Sequence, residues 1–399
     1  MVVIFIAYFI ITSKVSDKMK KIVGVALLAL MVSCNLAEEQ EKVEGIQLSI
    51  SSSINQEKPL NQEIISTLTN FLETKNDSFK ENKYWLAEDF DTFWFPFQDL
   101  YEIEHKDSAL YFYQPSLMEI VNTDDEQKKL LKLAFIGHDD TTKESTIKSI
   151  YNIVANQTDT GIVFSHPLPY FTKNWKKIQK GSIEYVVSPD RDFNEEEAER
   201  QLEDIAKICD FFSTEPMPIT YYSCIGLEEL FQIKGFDYNP IMYREGGGGL
   251  AATLNIVFSG NRSEFYTHEI MHLYTSAWYP SSTKLIDEGL ATYVGGSRVY
   301  SYTWHKENLR SHIEEHPEID FSKHLEPFER FFAGETAIPY MVGALICERT
   351  YRLYGKEKLL ALLDGADNIW GLLAEVGLTQ ENFDGELKKE LSLPPTLCM

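Results

Sequence analysis

Apolar residues recur along this chain with two different periods, and the changes of period divide it. Leu60, Ile64, Ile65, Leu68, Phe71 and Leu72 fall three and four residues apart, the spacing of one helix face, and predict a helix over 60–72. Shorter apolar or alternating runs at 109–113, 130–136, 149–155 and 161–164, separated by turn-forming residues, predict strands. A helix followed by several strands predicts an N-terminal α+β sheet domain over 48–172. A second section, 173–393, opens with an apolar strand at 183–187. Asn194, with Glu197 three positions on, is a variant of the capping box and starts a helix over 198–212 with Leu202, Ile205, Cys209 and Phe212 on one face. Further strands are predicted at 219–222 and 250–258, and beyond Gly296 the pattern is helical to the end, with 351–363 and 370–391 forming an amphipathic cap. The fold class is α+β.

Residues 266–293 carry the chemistry. His268-Glu269-Ile270-Met271-His272 puts two imidazoles four residues apart, which on a helix share one face and can grip one ion together. The helix is predicted from Ser263 as N-cap, Glu264 in the first turn, and the lack of Pro or Gly from Glu264 to Trp278. Glu269, next to the first histidine, flanks the metal and is the candidate general base. Beyond Pro280, Thr283 caps a second helix bearing Asp287-Glu288-Gly289, with Gly289 and Ala291 small enough to pack closely on the first. Two histidines and one carboxylate are a recurring ligand set for catalytic Zn2+, with Glu288 as third ligand and Asp287 as the alternative.

These residues, His268-Glu-x-x-His272 followed by Asp287-Glu288-Gly-Leu-Ala, resemble the gluzincins, the thermolysin-like and aminopeptidase-N-like metallopeptidases of peptidase clan MA. The fifteen residues between His272 and Glu288 are fewer than in either family, which points to a separate branch. The resemblance implies a zincin-like second domain: a mixed sheet, active-site helices and a helical C-terminal part. It also implies hydrolysis of a peptide or protein substrate by a zinc-activated water. The strand before the zinc helix would form the upper edge of the cleft and bind extended peptide, with Gly246 to Gly249 suiting close approach or simply making a hairpin turn. Where aminopeptidase-N-like enzymes carry a G-x-M-E-N glutamate for the substrate amine, this chain has Leu-Ala-Ala-Thr-Leu-Asn, so an endopeptidase is favoured over an aminopeptidase. Pro339-Tyr340-Met341-Val342-Gly343 resembles the P-Y-x-x-G segment of the same enzymes, which makes Tyr340 the candidate oxyanion donor. The N-terminal section resembles, without a diagnostic motif, nuclear-transport-factor-like or cystatin-like folds. The reading from a different class is a catalytically inactive zinc-binding lipoprotein that holds peptide or an envelope protein.

Composition narrows the setting. With 37 basic and 61 acidic residues the formal charge is −24, which disfavours nucleic acid and anionic membrane surfaces as partners. Met19-Lys20-Lys21, an apolar run over 22–32 and Ser33-Cys34 resemble a bacterial lipoprotein signal, with Cys34 the lipidated residue; cleavage by signal peptidase I is the alternative. The membrane would then be reached only through an N-terminal lipid anchor, at the outer membrane. Residues 1–18 read as an upstream-start extension, with 2–12 alternatively lengthening the anchor. Residues 35–47 are an acidic tether like that of some surface-exposed lipoproteins. Cys209, Cys224, Cys347 and Cys398 form no C-x-x-C pair and read as buried thiols or at most one or two disulfides. His105, His138 and His166 read as surface or loop histidines, and His305, His312, His316 and His324 as exposed. The aromatic run from Tyr84 to Tyr101 reads as core rather than groove. Oligomeric state is not legible.

Overall fold

Helix α1 (Pro59–Thr74) buries Ile64, Leu68, Phe71 and Leu72, the predicted face, against a largely antiparallel sheet. This arrangement comes from a computed structural model that describes residues 45–139, 141–244, 246–252, 255–365 and 368–399. Cys34, the signal and the tether up to residue 44 lie outside the described residues. Residues Ile46–Met399 form one compact unit. Its first sheet takes β1 (Ser49–Ile50), β2 (Tyr113–Asn122), β3 (Lys128–Asp139), β4 (Glu144–Thr158) and β5 (Gly161–Ser165) in that order, with the helical turn α2 (Asp89–Thr92) between β1 and β2. Leu131, Leu133 and Phe135 on β3 and Tyr151, Ile153 and Ala155 on β4 share one buried face, the period of two expected of half-buried strands. The strand expected at 109–113 is a turn; pairing begins at Tyr113, where the chain meets Gly137 of β3.

After the turn α3 (Leu168–Phe171) come β6 (Lys176–Lys180), β7 (Ile183–Val187), α4 (Glu195–Phe212), β8 (Ile219–Ser223), α5 (Leu227–Ile233) and β9 (Phe236–Tyr238). Strand β9 pairs with β4 of the first sheet. The expected strand over 250–258 is a hairpin of β10 (Gly249–Ala252) and β11 (Ile256–Ser259), with Asn255, just before β11, in a left-handed conformation (φ 88°). The second sheet runs β10-β11-β8-β7-β6, parallel among β7, β8 and β11 and antiparallel at both edges. Its two faces serve different clusters: Tyr185, Tyr221 and Val257 face the helices, whereas Ile256 and Phe258 join the cluster of the first sheet. That burial on both sides explains the continuous apolar runs.

The helical part contains α6 (Thr267–Trp278), α7 (Lys284–Gly295), α8 (Tyr302–Glu315), α9 (Ile338–Tyr354), α10 (Lys356–Leu363), α11 (Ile369–Ala374) and α12 (Phe383–Ser392). It is not helical throughout: β12 (Phe332–Ala333) and β13 (Thr336–Ala337) form a small hairpin immediately before α9. Helix α9 is buried almost all round, from Met341 to Thr350 without a break, and is the centre on which α7, α8, α10 and α12 pack. The architecture is α+β, with Trp85, Phe93 and Phe97 of the aromatic run in the core and Trp94 exposed.

Candidate metal centre

Helix α6 starts three residues later than its sequence predicts. Glu264 is withdrawn from the first turn because its buried carboxylate is held by Arg191 at 2.7 Å and by the Ser223 hydroxyl at 2.9 Å. Ser263 is not the N-cap; its hydroxyl donates to Glu197. The helix has no capping side chain, and α4 instead holds the segment that leads into it. Glu197 takes the Glu264 N–H, Gln201 the Tyr266 N–H and Asp204 the Thr267 hydroxyl, three side chains at helical spacing on one face of α4. Glu197 therefore makes only half of the expected capping box: Asn194 accepts from the Glu197 N–H, while the Asn194 N–H goes to Glu264. Helix α7 begins as predicted, with Thr283 accepting from the Ile286 N–H.

These two starts bring His268, His272 and Glu288 together. The Nε2 atoms of the histidines are 3.2 Å apart, and each is 3.4 Å from Oε2 of Glu288. The ring nitrogens facing outward settle the tautomers. His268 Nδ1 donates to the Gly296 carbonyl at 2.7 Å, and His272 Nδ1 lies 3.2 Å from the Asp287 carboxylate. In the neutral rings both Nε2 atoms then present lone pairs inward, toward the buried Oε2 of Glu288. With both rings neutral, three acceptors face one point, an arrangement that a proton on His272 or a bound cation relieves. A tetrahedral site with bonds near 2.0–2.1 Å has ligand–ligand edges of about 3.3 Å, which the 3.2, 3.4 and 3.4 Å edges match. The donor set, two imidazoles and a carboxylate, suits Zn2+.

Local electrostatics point the same way. Burial penalises a charge on His272, yet hydrogen bonds and attraction from Asp287 and Glu288 outweigh it and hold that imidazole well above its ordinary pKa. Burial would raise Glu288, but hydrogen bonds and attraction from His268 and His272 hold it well below the usual carboxylate range. A positive charge is favoured at this place, which is what a cation site requires.

Of the two adjacent carboxylates, Glu288 completes the triangle and Asp287 backs it. Asp287 accepts from the Thr275 hydroxyl at 2.5 Å and orients His272, the outer-shell role that metal-bound histidines usually have filled. Glu269 is buried on α6 next to His268, and burial together with the Glu269 charge pushes the Tyr266 hydroxyl pKa up. Tyr340 lies with its ring 6.1 Å from and nearly parallel to that of His268. Burial, the charges of Glu288 and Glu269, and a hydrogen bond to Glu288 push its hydroxyl pKa up. All five candidates, His268, Glu269, His272, Glu288 and Tyr340, thus gather in one place.

The sequence did not show what lets them gather. Gly289 packs against α9 rather than against α6: a Cβ there would meet the Gly343 backbone at 2.3 Å, and one on Gly343 would meet the Leu285 carbonyl at 2.3 Å. This backbone contact lets α9 bring Tyr340, one turn before Gly343, beside Glu288. Gly295 does the same at the other end, since a Cβ would meet the His268 nitrogen at 2.3 Å. Three histidines expected at the surface are buried: His166, His305 and His324. His105 and His138 remain away from the core, as do His312 and His316. Cys209, Cys224, Cys347 and Cys398 are free thiols. No protein-family model matches this sequence and no curated protein matches it, so the grouping of side chains alone carries the functional reading.

Proposed function

We propose that this protein is a zinc-dependent peptidase of gluzincin type, with a zincin-like catalytic part behind an N-terminal α+β accessory region of nuclear-transport-factor-like or cystatin-like kind. The observation that carries the proposal is the triangle of metal-ligating atoms that His268, His272 and Glu288 turn toward one point. Zn2+ held there would polarise a scissile carbonyl and lower the pKa of a water toward about 7. Glu269 takes the proton of the attacking water and returns it to the leaving amine. Tyr340 donates a hydrogen bond to the oxygen on which negative charge develops. Asp287 and the Gly296 carbonyl keep the imidazoles turned so that Nε2 faces the site. Strand β10 is the edge of its sheet and packs against α6, so its free side can pair with an extended peptide. The lipoprotein signal ending at Cys34 places the enzyme, in this reading, at the bacterial cell envelope.

The test is metal content and peptide hydrolysis on protein lacking residues 1–34. Wild type should carry close to one zinc per chain and cleave members of a diverse peptide library. Glu269→Gln should keep the zinc and lose roughly 10²–10⁴-fold in hydrolysis, the worth of a positioned proton-transfer group. Zinc without any cleavage would replace this reading with a zinc-containing protein that binds peptide or an envelope partner.

A further inference from the structure

His305 is buried, with 1% of its surface exposed, and the chemistry described so far does not use it. It stands on α8 between two segments that each lead to the site. Its Nε2 lies 3.1 Å from the Ser297 carbonyl, which follows the Gly296 carbonyl that holds His268 Nδ1 at 2.7 Å. Its Nδ1 lies 2.9 Å from the Thr336 hydroxyl in β13, four residues before Tyr340.

The partners settle the proton positions. A carbonyl only accepts, so Nε2 of His305 carries the hydrogen and Nδ1 of the neutral ring must accept. Thr336 donates its hydroxyl hydrogen to Nδ1 and accepts from the Asn308 amide at 2.9 Å, and Asn308 also donates to the Ala333 carbonyl at 2.7 Å. From Asn308 through Thr336 and His305 to Ser297 the hydrogens all run in one direction. Burial also holds the His305 pKa below its ordinary value, in keeping with a neutral ring.

From this geometry we infer that His305 is a positioning residue, which fixes the spacing between His268, through the Gly296–Ser297 turn, and Tyr340, through the β12–β13 hairpin. The inference rests on the proposed roles of His268 and Tyr340. The two ring nitrogens do separate work. Nε2 sets the metal side and Nδ1 the tyrosine side, so variants that keep one arm separate the two.

A glutamine amide reaches as Nε2 does, and an asparagine amide as Nδ1 does. His305→Gln should leave zinc affinity, measured by competition with a chromophoric chelator, within about twofold of wild type. Its kcat should fall as that of Tyr340→Phe does, with KM little changed. His305→Asn should weaken zinc by up to roughly 10-fold, the low end of what loss of an outer-shell partner costs, because the Gly296 carbonyl is displaced rather than removed. His305→Phe should do both, and Thr336→Val, a milder change should the phenylalanine variant fail to fold, should behave as His305→Gln. A third readout needs no metal: the His268 Nδ1–H proton resonance in histidine-labelled protein should persist in His305→Gln and shift or vanish in His305→Asn. Folded His305→Asn with unchanged zinc affinity and an unchanged His268 resonance overturns the inference. A wild type that neither binds zinc nor cleaves peptide removes the proposed function instead, and the His268 resonance still decides the positioning role.

Discussion

Two buried clusters in this protein contain both a histidine and a carboxylate, and they behave in opposite ways. In the first sheet, Asp89 Oδ2 accepts from Trp85 Nε1 at 2.8 Å and from the His166 N–H at 2.6 Å, and His166 Nδ1 accepts from the Leu168 N–H at 3.0 Å. Each acceptor there has a donor from its own chain. Burial then dominates: Asp89 is pushed up to about 6 and His166 down to about 3, both toward the neutral form. Around His268, His272 and Glu288 the ligating atoms face one another instead of donors from elsewhere in the chain, and His272 and Glu288 move toward the charged form. Burial of polar groups is therefore not what marks a site. The mark is a set of acceptors left facing a common point, because a folded chain normally satisfies such atoms internally.

The largest expected difference between the clusters is in metal. His268→Ala and Glu288→Ala should lose most of the bound zinc, whereas His166→Ala should lose none, as read by metal analysis after dialysis. Retention in Glu288→Gln together with loss in Asp287→Asn would move the third ligand by one residue and break the triangle. Within the metal cluster, Tyr340→Phe should cost on the order of 10²–10³-fold in hydrolysis with substrate binding little changed, because the lost contact belongs to the transition state. An unaffected kcat would return Tyr340 to the core.

Backbone approach separates the regions next. Gly343→Ala drives a methyl group into the Leu285 carbonyl and the Gly289 backbone, and neither can swing aside. Overpacking of this kind costs about 1–3 kcal/mol. It should lower the melting temperature and, by shifting α9 against α7, weaken hydrolysis too. Gly385 on α12 meets nothing within 4 Å, so Gly385→Ala should be neutral or stabilising by up to about 1 kcal/mol. Equal effects of the two substitutions would show that the α7–α9 crossing is looser than the structure has it.

The ligand residues were legible because each rests on local spacing: His268 and His272 on one helix face, and Glu288 five residues beyond a threonine that caps its helix. What stayed hidden depends on partners far along the chain. The late start of α6 follows from Arg191 capturing Glu264 across 73 positions, which no periodicity encodes. The burial of His305 follows from Thr336 and Ser297 satisfying both of its nitrogens, so a residue type that reads as exposed is enclosed. Gly343 read as part of a motif rather than as the contact point of two helices, since a glycine's need for space shows only when its neighbour is known. The hairpin at Asn255 read as one strand because the residues on both sides of the bend are apolar.

The smallest expected effect tests the satisfied cluster by pH. Asp89 has a folded pKa of about 6 against an ordinary 3.8, so between those values the folded state holds a proton that the unfolded chain has lost. Its contribution to stability is fully present below 3.8 and is lost as pH rises through 6. His166 is the reverse, at about 3 when folded against 6.5 otherwise: its contribution is present above 6.5 and is lost as pH falls through 3. Between about pH 4 and 6 the two slopes oppose each other and nearly cancel. Asp89→Asn keeps an acceptor for Trp85 and His166 but removes the falling slope. Relative to wild type, its stability should rise with pH over that window by about 1.4 kcal/mol per unit, on the order of 2–3 kcal/mol in all. Urea melts at pH 4, 5 and 6 measure this. A difference between variant and wild type that stays flat would mean that Asp89 titrates as an ordinary carboxylate, and that the contrast with Glu288 is one of geometry alone.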